Sequence, residues 1–207
     1  MEWSSGLMVH GAKLRTALSK VSLIAVHGPW SRIVGFRHLL LAPGGGKGAP
    51  QPLWGGAAKI RGARFTPQGG FDSVYLAEEP VTALLEVQAL VVISGGLVPL
   101  RTAPWALVTV DGIVSNVLDL TNASILKALG TNQQEMTGAW ARAANPPTQE
   151  LAQAAYDSRR IAGIKYGSAK HPGGRNLVVF SDRLGPPSTD YLEVHDPHGH
   201  LAQRLGS

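Results

Sequence analysis

The chain has 207 residues, 44% of them hydrophobic and 16% charged, and it contains no cysteine. That length and balance suit one globular domain with a full core, not a disordered chain. Disulfides and thiolate metal sites are excluded, a reducing cytoplasm is the fitting compartment, and no apolar run is long enough to span a bilayer. The short run Val21–Val26 lacks a small-residue cleavage site and does not read as a signal peptide. The net charge of +5 is unevenly placed, with +7 on residues 1–61 and −2 on residues 62–207. A basic first third suits phosphates, an acidic partner or plain solvation. Its positive residues are too dispersed, and too free of interleaved aromatics, to read as a nucleic-acid surface.

In chain order, Leu14, Leu18 and Val21 fall at helical spacing and predict a helix near Lys13–Ser22, while Leu23–Val26 is compatible with a strand. Trp30–Val34 reads as a strand, which sets residues 1–29 apart as an N-terminal extension and leaves 30–207 as the domain, with its core in 53–181. Ala42–Pro52 is a Pro/Gly-rich loop. Its run Gly44–Gly48 superficially resembles a phosphate loop, but Gly48 follows Lys47 where Ser or Thr is needed, so it reads as a linker. Arg64 and Phe65 precede Pro67 and Gly69-Gly70 and should end a short extended segment beside a turn. Ser73–Ala77 is a strand, and Pro80 opens a helix whose apolar face is Val81, Leu84 and Leu85, with Glu86 one step off it.

Gln88–Leu100 continues apolar, with Gly95-Gly96 expected to separate a helix from a strand. Ala106–Val110 and Ile113–Leu118 read as two strands about the hairpin dipeptide Asp111-Gly112. Ser124–Leu129, closed by Gly130, and Gln149–Arg160, with Thr148 as N-cap, read as helices; Leu151, Ala154, Ala155 and Ser158 line the small-residue face of the second. Ile164–Tyr166, Leu177–Phe180 and Tyr191–Val194 are strand-like. With no internal repeat, a single mixed α+β domain is expected.

Arg64, Tyr75 and Glu86 recur at intervals of eleven residues, each on a different kind of local structure. A cation, an aromatic ring and a carboxylate can therefore converge on one cleft. Each also has an ordinary alternative: Arg64 as a surface ion-pair partner, Tyr75 as core, Glu86 as the solvent edge of a helix. Ser168, in Gly-Ser-Ala, is otherwise turn chemistry. The tail His195-Asp196-Pro197-His198-Gly199-His200 holds types that bind transition metals. Pro197 and Gly199 make it a turn that does not aim these groups at one point, and no metal is expected.

The run Gly62-x-Arg64-Phe65-x-Pro67-x-Gly69-Gly70, followed by V-Y-L-A-E-E-P-x-T-A-L-L-E-V over Val74–Val87, resembles the RES-domain family. Gly163–Lys170 with Gly174–Phe180 resembles the same family's second block, and Arg32 falls where members begin their domain, often with an arginine. Two blocks in order are more specific than any single triplet. The resemblance implies an ADP-ribosyltransferase-like fold with central β-sheets flanked by helices. It also implies a bacterial toxin that breaks the nicotinamide–ribose bond of NAD by hydrolysis or phosphorolysis. NAD would be the substrate, with no prosthetic group and no metal. The expected partner is an Xre-type, helix-turn-helix antitoxin that occludes the site, so that DNA is met only through that partner; a homodimer or a larger heteromeric complex is left open.

Within that chemistry Glu86 would stabilise the cationic ribose, Arg64 would grip the diphosphate, and Tyr75 would give a flat face to nicotinamide or ribose. Ser168 would hydrogen-bond the dinucleotide, and Asn176 is a weaker candidate beside it. An ADP-ribosyltransferase acting on a protein target would use the same residues. An inactive binding module is the other alternative, and the retained Arg-Tyr-Glu set counts against it.

Overall fold

The computed structural model describes residues 8–39, 49–94, 96–100, 104–186 and 188–206. Its first helix, α1 (Gly11–Lys20), buries Leu14 and Leu18 one turn apart and leaves Lys20 at its negative C-terminal end. Strands β1 (Ile24–His27) and β2 (Trp30–Gly35) follow, then the short helices α2 (Phe36–Leu39) and α3 (Gly56–Arg61). The glycine run 44–48 lies outside the described residues. Strand β3 (Ser73–Ala77) leads into α4 (Pro80–Glu86), which has Pro80 at its start, buries Thr82, Ala83 and Leu85, and ends at Glu86.

Beyond α4 the chain departs from expectation. The apolar stretch after Gln88 is a β-hairpin, β4 (Leu90–Ile93) and β5 (Gly96–Pro99), and not a helix followed by a strand. Val91, Val92 and Ile93 are β-branched and favour the extended form, which a short apolar run does not reveal by periodicity. Asp111-Gly112 is likewise no hairpin turn, because Trp105–Asp119 is one continuous strand, β6. Helices α5 (Ala123–Ala128) and α6 (Gln133–Thr137) are capped by Asn122 and Asn132, whose side chains accept from the N–H groups of Ser124 and Glu135, each at 2.9 Å. Helix α7 (Pro147–Asp157) begins at the Pro146-Pro147 pair; Thr148, the expected N-cap, lies buried inside its first turn. Strands β7 (Gly163–Gly167), β8 (Arg175–Phe180), β9 (Tyr191–Val194) and β10 (Arg204–Leu205) complete the order.

Eight strands form one mixed sheet in the order β10-β9-β6-β2-β3-β8-β7, with β1 also on β6. Strand β6 is long enough to be used twice. Its first half pairs with β2, and its last residues, Val117–Asp119, pair in parallel with β7, so the strand path returns to β6. Asn116 takes φ +58°, and the β1–β6 register shifts between Ile24 and Val26, which lets the strand bend between its two sets of partners. At Gly112 the chain of β9 runs so close that a Cβ would sit 2.1 Å from the Tyr191 carbonyl oxygen. The glycine is therefore there for the neighbouring strand and not for a turn. Gly112→Ala is expected to destabilise the fold by about 1–3 kcal/mol, the usual scale of overpacking, as read by denaturant unfolding.

The sheet has a core on each face. Leu14, Leu18, Phe65, Leu129, Leu151 and Phe180 belong to the cluster under the helices, while Trp30, Leu53, Val74, Val110 and Leu192 form the other. Each such side chain contributes roughly 1.5–3 kcal/mol by burial. Strand β3 alternates between them: Val74 and Leu76 enter the second cluster, and Tyr75 packs on the first. The stretch before β2 takes part in both layers, since α1 packs on α7 and β1 pairs with β6. The result is one α+β domain, a central mixed sheet flanked by helices. No helix among the described residues is long and apolar enough to cross a membrane.

One feature of the sheet opens a cleft. Strands β2 and β3 pair at Ser31 and Ala77 and then part. Arg32 fills the split, donating from Nη1 to the Tyr75 carbonyl at 3.0 Å, from Nε to Pro52 O at 2.7 Å and from Nη2 to Trp54 O at 2.9 Å. Burial lowers its pKa to about 10, so the guanidinium is still cationic at neutral pH.

Candidate active site

A cavity of about 310 Å³ lies at this split, and its lining includes Arg64, Tyr75, Glu86, Tyr166, Lys170 and Asn176. A larger groove of about 540 Å³ between α1 and α7 holds none of these residues. Convergent polar chemistry, rather than size, singles out the smaller one.

Glu86 is presented by the last turn of α4. Its Oε1 accepts two hydrogen bonds, from Ser168 Oγ and from Asn176 Nδ2, both at 2.7 Å. Asn176 lies on β8 and is 3% exposed; Ser168 follows β7, and its Oγ accepts from the N–H groups of Lys170 at 3.1 Å and His171 at 2.9 Å. One carboxylate oxygen is thus anchored to two strand ends, and among the described residues Oε2 has no protein partner. Thr82, one turn earlier on the same helix, meets His171 Nδ1 at 2.7 Å and ties the same loop to α4. The carboxylate is held in place by the protein's own hydrogen bonds.

Arg64 does not end an extended segment as expected. It sits at the tip of a tight turn after α3, closed by Ala63 N–H to Thr66 O at 2.8 Å and Thr66 N–H to Ala63 O at 3.1 Å. Phe65, fully buried against Tyr166, pins that turn to the core. Arg64 Nη1 donates to the carbonyls of Met136 at 3.0 Å and Gly138 at 2.8 Å. Among the described residues its Nε and Nη2 have no partner and it forms no ion pair, so donors remain for an anion.

The Tyr75 ring lines the cavity, but its hydroxyl is not spare. It accepts from Phe65 N–H at 3.0 Å and meets Thr66 Oγ1 at 2.8 Å, so it braces the turn that carries Arg64. Burial, tempered by these hydrogen bonds, pushes its pKa up to about 12. Tyr166 is pushed well above the usual phenol value, first by burial and then by nearby Tyr75 and Glu86. For both, the folded state favours the neutral phenol. Their contribution to stability is complete below the unfolded value of about 10 and is lost as pH rises through the folded value. Alkaline titration should therefore show Tyr75 and Tyr166 ionising only with cooperative unfolding, as followed by phenolate absorbance against circular dichroism.

A model of the RES domain matches residues 37–202, most of the chain. The chain belongs to the RES domain family. Among solved structures, a chain of the M. tuberculosis MbcT–MbcA toxin–antitoxin complex shares its fold, with a TM-score of 0.63 and 21% identity over 90% of this chain and 91% of that one. No curated protein matches.

Of the residues expected from sequence, this RES domain brings Arg64, Tyr75, Glu86 and Asn176 to one cavity, with Ser168 behind Glu86. The Ser168 hydroxyl proton is committed to Glu86, a different geometry from the expected bond to a dinucleotide. The lining also includes polar and aromatic residues that were not named as site candidates, among them Arg32, Trp140, Tyr166 and Lys170. Tyr166 stood inside the second family block but read as strand alternation. Among the described residues its hydroxyl has no protein partner, which leaves it able to hydrogen-bond a ligand. The histidine-rich tail is a turn in which Asp196 Oδ1 accepts from His198 N–H at 3.1 Å and Oδ2 from Leu201 N–H, and these backbone bonds hold its pKa below the usual carboxylate value.

Proposed function

We propose that the chain is a toxin of a toxin–antitoxin pair that cleaves the nicotinamide–ribose bond of NAD. The observation that carries this reading is the Glu86 carboxylate, anchored through Oε1 with Oε2 unpartnered, in one cavity with Arg64 and Tyr75. Breaking the C1′–N bond sends its electron pair to nicotinamide, which leaves neutral, and builds positive charge on the ribose. Glu86 faces that charge and orients a ribose hydroxyl; Arg64 binds diphosphate oxygens; the rings of Tyr75 and Tyr166 flank the nucleoside. Water or inorganic phosphate then takes the C1′ position, and a protein side chain there would make the chain an ADP-ribosyltransferase.

The purified chain is incubated with NAD, with and without phosphate, and the products are identified by mass spectrometry. Released nicotinamide is expected, and the sugar product names the acceptor. Intact NAD beside folded protein overturns the reading. In cells, expression alone should arrest growth and lower NAD, and co-expression of a neighbouring antitoxin gene should relieve both. The occluding segment is expected to be an antitoxin tail carrying carboxylates, complementary to Arg64 and Lys170. Arg64→Lys keeps the charge but cannot serve two carbonyls and a phosphate from one planar fork. It should raise KM for NAD about tenfold while changing kcat less, in steady-state kinetics.

A further inference from the structure

From Gln88 to Leu100 the chain has no charged residue, although its net charge is +5. The same stretch forms the β4–β5 hairpin, a two-stranded sheet of its own beside the main one. Two strands alone are marginal in water, and a third strand normally stabilises them. This hairpin is also apolar on both faces: Val92 sits beside Leu97 on one, and Val91 beside Val98 on the other. Val92, Ile93, Leu97, Val98 and Leu100 are 64, 54, 49, 36 and 44% exposed. They leave several hundred Å² of apolar surface, a large share of the roughly 800 Å² that each partner buries in a standard interface.

The backbone bonding marks which edge is open. Leu100 N–H donates to Ala89 O at 3.0 Å, so in this register Val91 with Val98 and Ile93 with Gly96 also exchange bonds. Leu90, Val92, Leu97 and Pro99 therefore turn their backbone groups outward. The β5 edge holds Pro99, which has no N–H, and is blunted. On β4, Leu90 and Val92 each offer an N–H and a C=O, and no strand among the described residues pairs there.

We infer that a second copy of this chain fills the open edge, its β4 lying antiparallel to the first about a two-fold axis at Val91. The register follows from the groups on offer. Leu90 exchanges both bonds with the partner's Val92, Val92 does the same with the partner's Leu90, and every outward group of β4 is satisfied. An isologous contact requires this self-complementarity. Two copies of a cationic chain repel, and the uncharged hairpin is where they meet without opposing like charges. The product is a sheet in the order β5-β4-β4-β5, with Val91 facing the partner's Val91 across the axis. This interface stands on the hairpin alone and does not depend on NAD cleavage.

Sedimentation velocity of the full chain across micromolar concentrations should show a monomer–dimer equilibrium. Val92→Pro removes an outward N–H and spares the β4–β5 bonds. It should weaken dimerisation by about tenfold or more, since each copy loses one donor at the interface. Val91→Lys brings like charges face to face at the axis and should weaken it comparably. The chain has no cysteine, so the register can be read by cross-linking. Val91→Cys lies in a pair that exchanges no bonds across the axis, roughly 4.5 Å between Cα atoms, and should link two copies under mild oxidation. Val98→Cys, one strand further out, should not. Thermal melts matching wild type establish that each variant keeps the domain fold. A wild-type chain that stays monomeric throughout, or a Val91→Cys protein that stays unlinked, overturns the inference. A monomer whose binding to an antitoxin is lost in Val92→Pro also overturns it and gives the edge to that partner.

Discussion

Glu86→Gln is expected to lower NAD turnover by about 10²–10³-fold while leaving the fold and substrate affinity nearly unchanged. The amide oxygen can still accept from Ser168 and Asn176, as Oε1 does at 2.7 Å from each, so the side chain keeps its place at the end of α4. What disappears is the negative charge on the unpartnered side, the part of the group that interacts more strongly with a cationic ribose than with the ground-state nucleoside. The signature is a fall in kcat with KM little moved, measured by nicotinamide release beside a thermal melt of both proteins. Full NAD consumption by a folded Glu86→Gln protein would remove Glu86 from the chemistry.

The boundaries of β3 and α4 were legible because local chemistry and tertiary context agree there. Ser73–Ala77 is short and apolar, Pro80 suits a helix start, and both elements appear at those residues. Convergence of Arg64, Tyr75 and Glu86 was legible through spacing and family blocks. Arg32 was marked in the sequence as a strand residue where family members begin their domain, but its three carbonyl partners depend on where β2 and β3 part, a property of the assembled sheet. The same holds for Ser168, whose partner Glu86 lies 82 residues away. Asp111-Gly112 misled for the opposite reason: its turn propensity is real, but pairing of Asp111 with Glu193 and Gly112 with Leu192 overrides it. The tight turn that offers Arg64 owes its position to Phe65 in the core and to Gln149, whose Nε2 donates to Ala63 O at 2.8 Å. Neither contact is readable from the neighbouring sequence.

The anchoring of Glu86 sets up the second large effect. Asn176→Asp changes one buried atom from donor to acceptor and places a carboxylate at 2.7 Å from Oε1, at a side chain that is 3% exposed. Two ionised carboxylates at that separation repel, and burial weakens solvent screening, so the pair takes up a shared proton. Either way the site loses the arrangement it needs: the proton neutralises Glu86, or repulsion turns it out of the cavity. Activity at neutral pH should fall at least as far as in Glu86→Gln, about 10²-fold or more. Stability should fall by about 3–5 kcal/mol, the scale of an uncompensated buried charge. The sign of the pH dependence separates this from mere loss of packing. The pair's folded-state pKa is raised above the unfolded carboxylate value of about 4, so the variant approaches wild-type stability in acid and loses ground as pH rises through the folded value. Urea unfolding of both proteins across that range should show the gap opening from acid to neutral pH. A gap independent of pH would mean that Asn176 is a packing residue and that Glu86 is held by Ser168 alone.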